Sequence, residues 1–161
     1  MIDKVTFLLG LIGTLGTAYS VLMTFYWNRV DVDFYIADYS ATPDSLILYM
    51  VFTNNSRLPV SVTDICIWNK AIPYSCRKDP IVVRTYSRQS GKNITYKEAL
   101  KSLPFPINLP CLSGTSGYLY FQIPQENFEC ASNSLTVGLS TNRFRKLQKT
   151  LELPTNSHTV M

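Results

Sequence analysis

The chain has 161 residues, of which 46% are hydrophobic and 16% charged, and its formal net charge is +4. That length holds one domain and an appendage, and the composition excludes a disordered protein while being low in charge for a wholly soluble one. The single histidine, His158, is the fourth residue from the end, which sets aside Ser-His-Asp and Cys-His nucleophile chemistry within the folded body.

The first element is the run TFLLGLIGTLGTAYSVLMTFYW. From Val5 to Trp27 there are 23 uncharged residues between Lys4 and Arg29. At helical rise they span roughly 34 Å, enough for a hydrocarbon core of about 30 Å. The run predicts a single-pass transmembrane helix, with residues 1–29 as the anchor, Tyr26 and Trp27 at an aromatic belt and Arg29 among the headgroups. A cleaved signal peptide ending near Gly16 and Ala18 competes, but it would leave the greasy terminus YSVLMTFYW. A buried helix of a soluble core is the third reading, weakened by the length of the run. Lys4 and Arg29 balance each other across the span, so the side of the membrane that receives the rest stays undetermined.

Within this helix Thr6, Gly10, Gly13, Thr17, Ser20 and Thr24 recur at spacings of four and three, the period that keeps one stripe toward a partner helix. The stripe predicts self-association or docking on another transmembrane helix.

Periodicity then changes to two. In VDVDFYI, Val30, Val32, Phe34 and Ile36 alternate with polar positions, which predicts a half-buried strand. SLILYMVFT (45–53) is more uniformly apolar and so central to its sheet, and the turn residues of NNSRLP follow it. In VSVTDICIW the apolar phase slips from Val60 and Val62 to Ile65 and Ile67, as a bulge at Thr63 or Asp64 would cause. AIPYSC, IVVRTY, GYLYFQI, SLTVGLS and LQKTLEL complete the predicted strands. Between IVVRTY and GYLYFQI, Thr95 and Glu98 form a capping box that predicts a short helix ending by Ser102, before Pro104 and Pro106. The fold expected is mainly β: an immunoglobulin-like antiparallel β-sandwich over residues 30–154, preceded by the helix and followed by a flexible tail, 155–161.

FTNNSRLPVSVTDI, LPFPINLPCLSGTSGYLYF and LTVGLSTNRFRKLQKTLEL together resemble small uncharacterised bacterial and phage proteins that carry an N-terminal membrane helix and an immunoglobulin-like β domain. The resemblance covers most of the chain. It implies that fold, carries over no catalytic residue and leaves function open.

Neither metal nor cofactor is expected. Cys66, Cys76, Cys111 and Cys130 are ten or more residues apart and fit no zinc spacing. Their even number suits disulfides in an oxidising space, with Cys66 and Cys76 nearest in sequence, although Cys66 reads equally as a small core residue. Glu126 and Glu129 have no partner base, SGTSG (113–117) lacks the lysine of a phosphate loop, and Asn54 and Asn93 open two sequons.

Positive charge is clustered. Arg77, Lys78, Arg84, Arg88, Lys92, Lys97 and Lys101 face only Asp79 and Glu98 in their stretch, and Arg143, Arg145, Lys146 and Lys149 form a second group. A solvated face explains such clusters, and so does contact with a polyanion such as anionic lipid, wall polymer or nucleic acid, the last the least expected. The expected function is that of a non-catalytic, membrane-anchored interaction module with a protein partner, and the alternative is a polyanion-binding surface protein.

Overall fold

The computed structural model describes residues 2–27, 29–42, 44–69, 72–90, 93–123, 134–143 and 146–154, with side chains described except at 2, 69, 87–90 and 93–97. Helix α1 (Ile2–Trp27) comes first. Ten strands follow: β1 (Val32–Thr42), β2 (Ser45–Asn54), β3 (Val60–Asn69), β4 (Ile72–Ser75), β5 (Val82–Ser90), β6 (Asn93–Lys101), β7 (Ile107–Leu109), β8 (Ser113–Gln122), β9 (Ser134–Thr141) and β10 (Lys146–Glu152).

Helix α1 is long and apolar enough to cross a membrane, and none of its span is buried. Its hydroxyls are used within the helix: Thr17 Oγ1 donates to the Gly13 carbonyl (2.8 Å), Ser20 Oγ to Gly16 (2.9 Å) and Thr24 Oγ1 to Ser20 (2.7 Å). Back-bonding of this kind hides the polar groups of an apolar helix.

Two antiparallel sheets enclose one core. The first has the order β1-β2-β8, and β2 is central, as its composition predicts. The second runs β10-β9-β3-β4, with β7 also on β3. Alternation sends Phe34, Leu48, Met50, Phe52, Leu119 and Phe121 inward from the first sheet, to meet Val62, Ile65, Ile67, Val137, Leu139 and Leu151 of the second. The β3–β9 register shifts between Val62 and Asp64, the expected bulge, and it returns Ile65 and Ile67 to the core face. A second shift, between Ile36 and Asp38, bends β1.

On the outer face of the second sheet, a Cβ added at Gly138 would lie 2.3 Å from the Trp68 ring, so only glycine lets the indole lie against the sheet.

The structure corrects one expectation, the short helix at Thr95, and adds two findings that the sequence left open. The Thr95–Glu98 stretch is strand β6, paired with β5 from Val82↔Lys101 to Ser90↔Asn93; the cross-strand ladder and the β-branched Ile94 and Thr95 outweigh a local capping signal. Ile107–Leu109, between two prolines, forms β7 on β3. Cys66, Cys76 and Cys111 are free thiols. Cys66 lies on the outer face near Gly138, whereas Cys76 is buried in the core, so the two nearest cysteines occupy opposite faces of their sheet. Cys130, Glu126, Glu129, His158 and the tail lie outside the described residues.

Candidate ligand groove and the basic clusters

The inward alternation of β2 and β8 leaves their other positions on the outer face of the first sheet. Tyr49 and Tyr118 meet there, with ring centroids 4.8 Å apart and planes inclined by 60°, a tilted geometry favoured by aromatic quadrupoles. Tyr49 Oη and Ser116 Oγ share a hydrogen bond of 2.9 Å.

The β5–β6 hairpin is tied beside this face. The Ser102 N–H donates to the Ile81 carbonyl (2.8 Å) and the Leu103 N–H to that of Tyr118 (2.8 Å), while the Arg77 N–H donates to Tyr120 (2.9 Å). Both roots of the hairpin are thereby fixed, directly or through each other, to the edge of β8 not used by β2. Gly117 is needed at this seam, because a Cβ there would come within 2.6 Å of the Leu103 side chain.

Between the hairpin and the sheet lies a groove of about 380 Å³. Ile47, Tyr49 and Tyr118 line its apolar part, Asp38 belongs to the β1 wall, and Arg84 and Thr85 belong to the β5 wall. The Arg84 guanidinium sits 5.1 Å from the Tyr86 ring centroid. Asp38 accepts a hydrogen bond from the Tyr39 N–H (2.8 Å). Among the described residues β1 pairs only with β2, and β5 only with β6. Both walls of the groove therefore belong to strands at the edges of their sheets.

The basic residues named from the sequence divide among several places. Arg84 lines the groove, Arg77 is exposed beside the hairpin root, and Arg143 is exposed in the turn after β9. The side chain of Arg88, and Lys92 and Arg145 altogether, lie outside the described residues. Lys78 Nζ is 3.8 Å from Asp64 Oδ1, an oxygen that is buried and makes no hydrogen bond. The register sets Asp64 opposite Ser140, and Ser140 opposite Lys146, so Lys146 lies two strands from Asp64 on the same sheet. Burial and the Asp64 charge push the Cys66 thiol up, partly offset by Lys146. Among the described residues no group of three or more His, Cys, Asp or Glu could hold a metal ion.

A Cβ added at Gly10 or Gly13 of the helix stripe would meet nothing within 4 Å, and the same holds at Gly16 outside it. Asn54, at the head of one sequon, is fully buried. Its Nδ2 donates to the carbonyls of Leu58 (2.9 Å), Leu109 (3.2 Å) and Pro110 (2.9 Å), and its Oδ1 accepts from the Ser56 N–H and hydroxyl. It pins two loops together and is closed to glycosylation. The groove went unseen in the sequence because its walls are far apart in the chain; the outward tyrosines of β2 and β8 were the available signal.

No family model matches the chain, and no curated protein matches it. Among solved structures it is similar to a selenomethionine-labelled β-glucosidase from Kluyveromyces marxianus, with a TM-score of 0.34 and 10% identity, over 79% of this chain and 14% of that one. A likeness so slight carries no argument about fold or activity.

Proposed function

We propose that the protein is a non-catalytic recognition module, an immunoglobulin-like sandwich held at a membrane by α1, whose groove takes an extended segment of a protein partner. The observation that carries the reading is the helix itself: thirteen of its large apolar side chains are exposed, from Val5 to Trp27. An uncovered apolar surface of this extent marks a membrane or partner contact. The two sheets around one core, with β2 in one and β3 in the other, support the sandwich assignment. The groove supplies the recognition surface, since edge strands offer main-chain hydrogen bonds and the tyrosine pair with Ile47 offers a pocket for an apolar side chain.

The test uses the full chain in its native membranes. It should resist carbonate extraction, and release into the soluble fraction would end the anchor reading. A photo-crosslinker at Thr85, on the groove wall, should give a polypeptide adduct that Tyr118→Ala abolishes, while one at Gln148, exposed on the other sheet, should not. Equal adducts from both positions would remove the groove from the function. Anionic-polymer binding that falls steeply with salt, and that charge reversal at Arg77 and Arg84 abolishes, would favour the polyanion reading instead.

A further inference from the structure

At the junction of helix and domain a second cavity, of about 420 Å³, is lined by Tyr26, Trp27, Arg29, Asp31, Asn55 and Arg57 among others. Resting on the membrane-anchor reading above, we propose that this cavity holds the headgroup of a phospholipid, with Arg29 and Arg57 on its phosphate and Asp31 beside an ammonium.

The site joins two parts of the chain. Arg29 follows α1, where a spanning helix would leave the hydrocarbon, whereas Arg57 comes from the loop after β2. The Arg57 guanidinium lies over the Trp27 ring, 4.2 Å from its centroid. Stacking uses the face of the guanidinium and leaves its in-plane N–H groups free for the bidentate geometry that phosphate accepts. Among the described residues neither Arg29 nor Arg57 is in an ion pair. Two cations and one carboxylate fit a zwitterionic headgroup better than a purely anionic one.

The loop is prepared for this position. Ser56 is buried, bonded through its N–H and hydroxyl to Asn54 and through its carbonyl to the Leu112 N–H (3.1 Å), and the Asn55 N–H donates to the Asp31 carbonyl (2.8 Å). Arg57 therefore leaves a fixed backbone. Beside it, Leu112 is 70% exposed and has a φ of 49°, a left-handed conformation in which a leucine is unusual. Held there, it presents an apolar side chain at the end of the domain that carries the cavity, as an interfacial surface requires.

The experiment titrates the purified full chain, in detergent, with phosphatidylethanolamine and counts retained lipid by native mass spectrometry. One lipid should be retained by the parent, and Arg57→Ala or Arg29→Ala should weaken retention by about tenfold or more, the scale of a lost charge-assisted contact. Arg57→Lys, which keeps the charge without the fork, should fall between, and Arg77→Ala should match the parent. Phosphatidylglycerol should be retained less well, and inorganic phosphate at equal concentration should not displace the lipid. Unaltered retention in both alanine variants, or displacement by free phosphate, would overturn the proposal. Because carbonate extraction is scored separately, a chain that stays in the membrane yet shows no arginine dependence would sink this site and leave the anchor intact. Unchanged thermal unfolding of Arg57→Ala would establish that lost retention is not lost folding.

Discussion

Strand β2 and helix α1 are both apolar runs, yet they dispose of their side chains in opposite ways. Along SLILYMVFTN every second residue is buried, and Leu48, Met50 and Phe52 are 0% exposed. Along α1, Phe7, Leu22 and Phe25 are 73%, 70% and 79% exposed. Each such side chain is worth about 1.5–3 kcal/mol when taken from water, and a domain's whole net stability is about 5–15 kcal/mol. Thirteen such side chains left exposed on one helix are the kind of surface that a membrane or a partner covers, whereas those of β2 are already covered by their own core. Period decides between the two: a repeat of two gives a sheet one wet and one dry face, while a helix apolar all round has no wet face to turn outward.

The largest way to break the comparison is to remove α1. Residues from Val30 onward should stay in solution and keep a β-dominated circular dichroism spectrum, because none of the span is buried against the domain. Aggregation of that fragment would mean that α1 covers part of the β surface after all. Within the intact chain, Phe52→Ala should cost about 3–5 kcal/mol in denaturant unfolding of the β domain, and Leu15→Ala, on the exposed helix, should leave the same transition unmoved.

The cysteines extend the contrast. Burial pushes the Cys76 thiol from an ordinary 9.0 up to about 12. Between those values the unfolded chain has lost a proton that the folded chain keeps, so stability is intact below pH 9 and falls as pH rises toward 12. The loss should reach about 1 kcal/mol by pH 10, and Cys76→Ser should flatten that slope. Cys111 is exposed, and it should react with a thiol reagent in the folded protein at pH 8 while Cys76 stays protected.

How much of this was readable follows from where each signal lies. Helix α1, the central β2 and the bulge near Asp64 are written in runs of neighbouring residues, and the structure has each of them. Strand β6 was not readable, because Thr95 and Glu98 satisfy a local helix-start pattern and only the ladder from Val82↔Lys101 onward overrules it. The groove, the junction cavity and the loop staple of Asn54 join residues up to dozens of positions apart. Composition could suggest that Tyr49, Arg57 and Tyr118 were interesting, but it could not bring Tyr49 to Tyr118, or Arg57 to Trp27.

A smaller effect sharpens the helix side. If the open strip at Gly10 and Gly13 is where another helix packs, Gly13→Ile should lower pairing in a transmembrane association assay and Leu15→Ile should not. The hydroxyls of Thr17, Ser20 and Thr24 already donate within the helix, so close backbone approach at glycine must carry most of the attraction, with each polar contact adding about 0.6–2 kcal/mol at most. Equal pairing of both variants would reduce the strip to composition.

The smallest effect belongs to neither lipid nor core. Lys149 Nζ donates to Asp33 Oδ1 at 2.9 Å, joining the edge strands β10 and β1 of opposite sheets, and both side chains are about half exposed. The hydrogen bond from Lys149 holds the Asp33 carboxyl below its ordinary 3.8, against a smaller opposing effect of burial. A lowered folded value means that the contribution is present above pH 3.8 and disappears as pH falls through the folded pKa, when the carboxylate takes up its proton. Water screens such a pair, so Lys149→Ala should cost less than about 1 kcal/mol at neutral pH. The cost should shrink further in molar salt, where the screening length falls to about 3 Å. A loss of several kcal/mol that ignored salt would show the contact to be part of the core's closure, and would move Asp33 from the wet side of the comparison to the dry one.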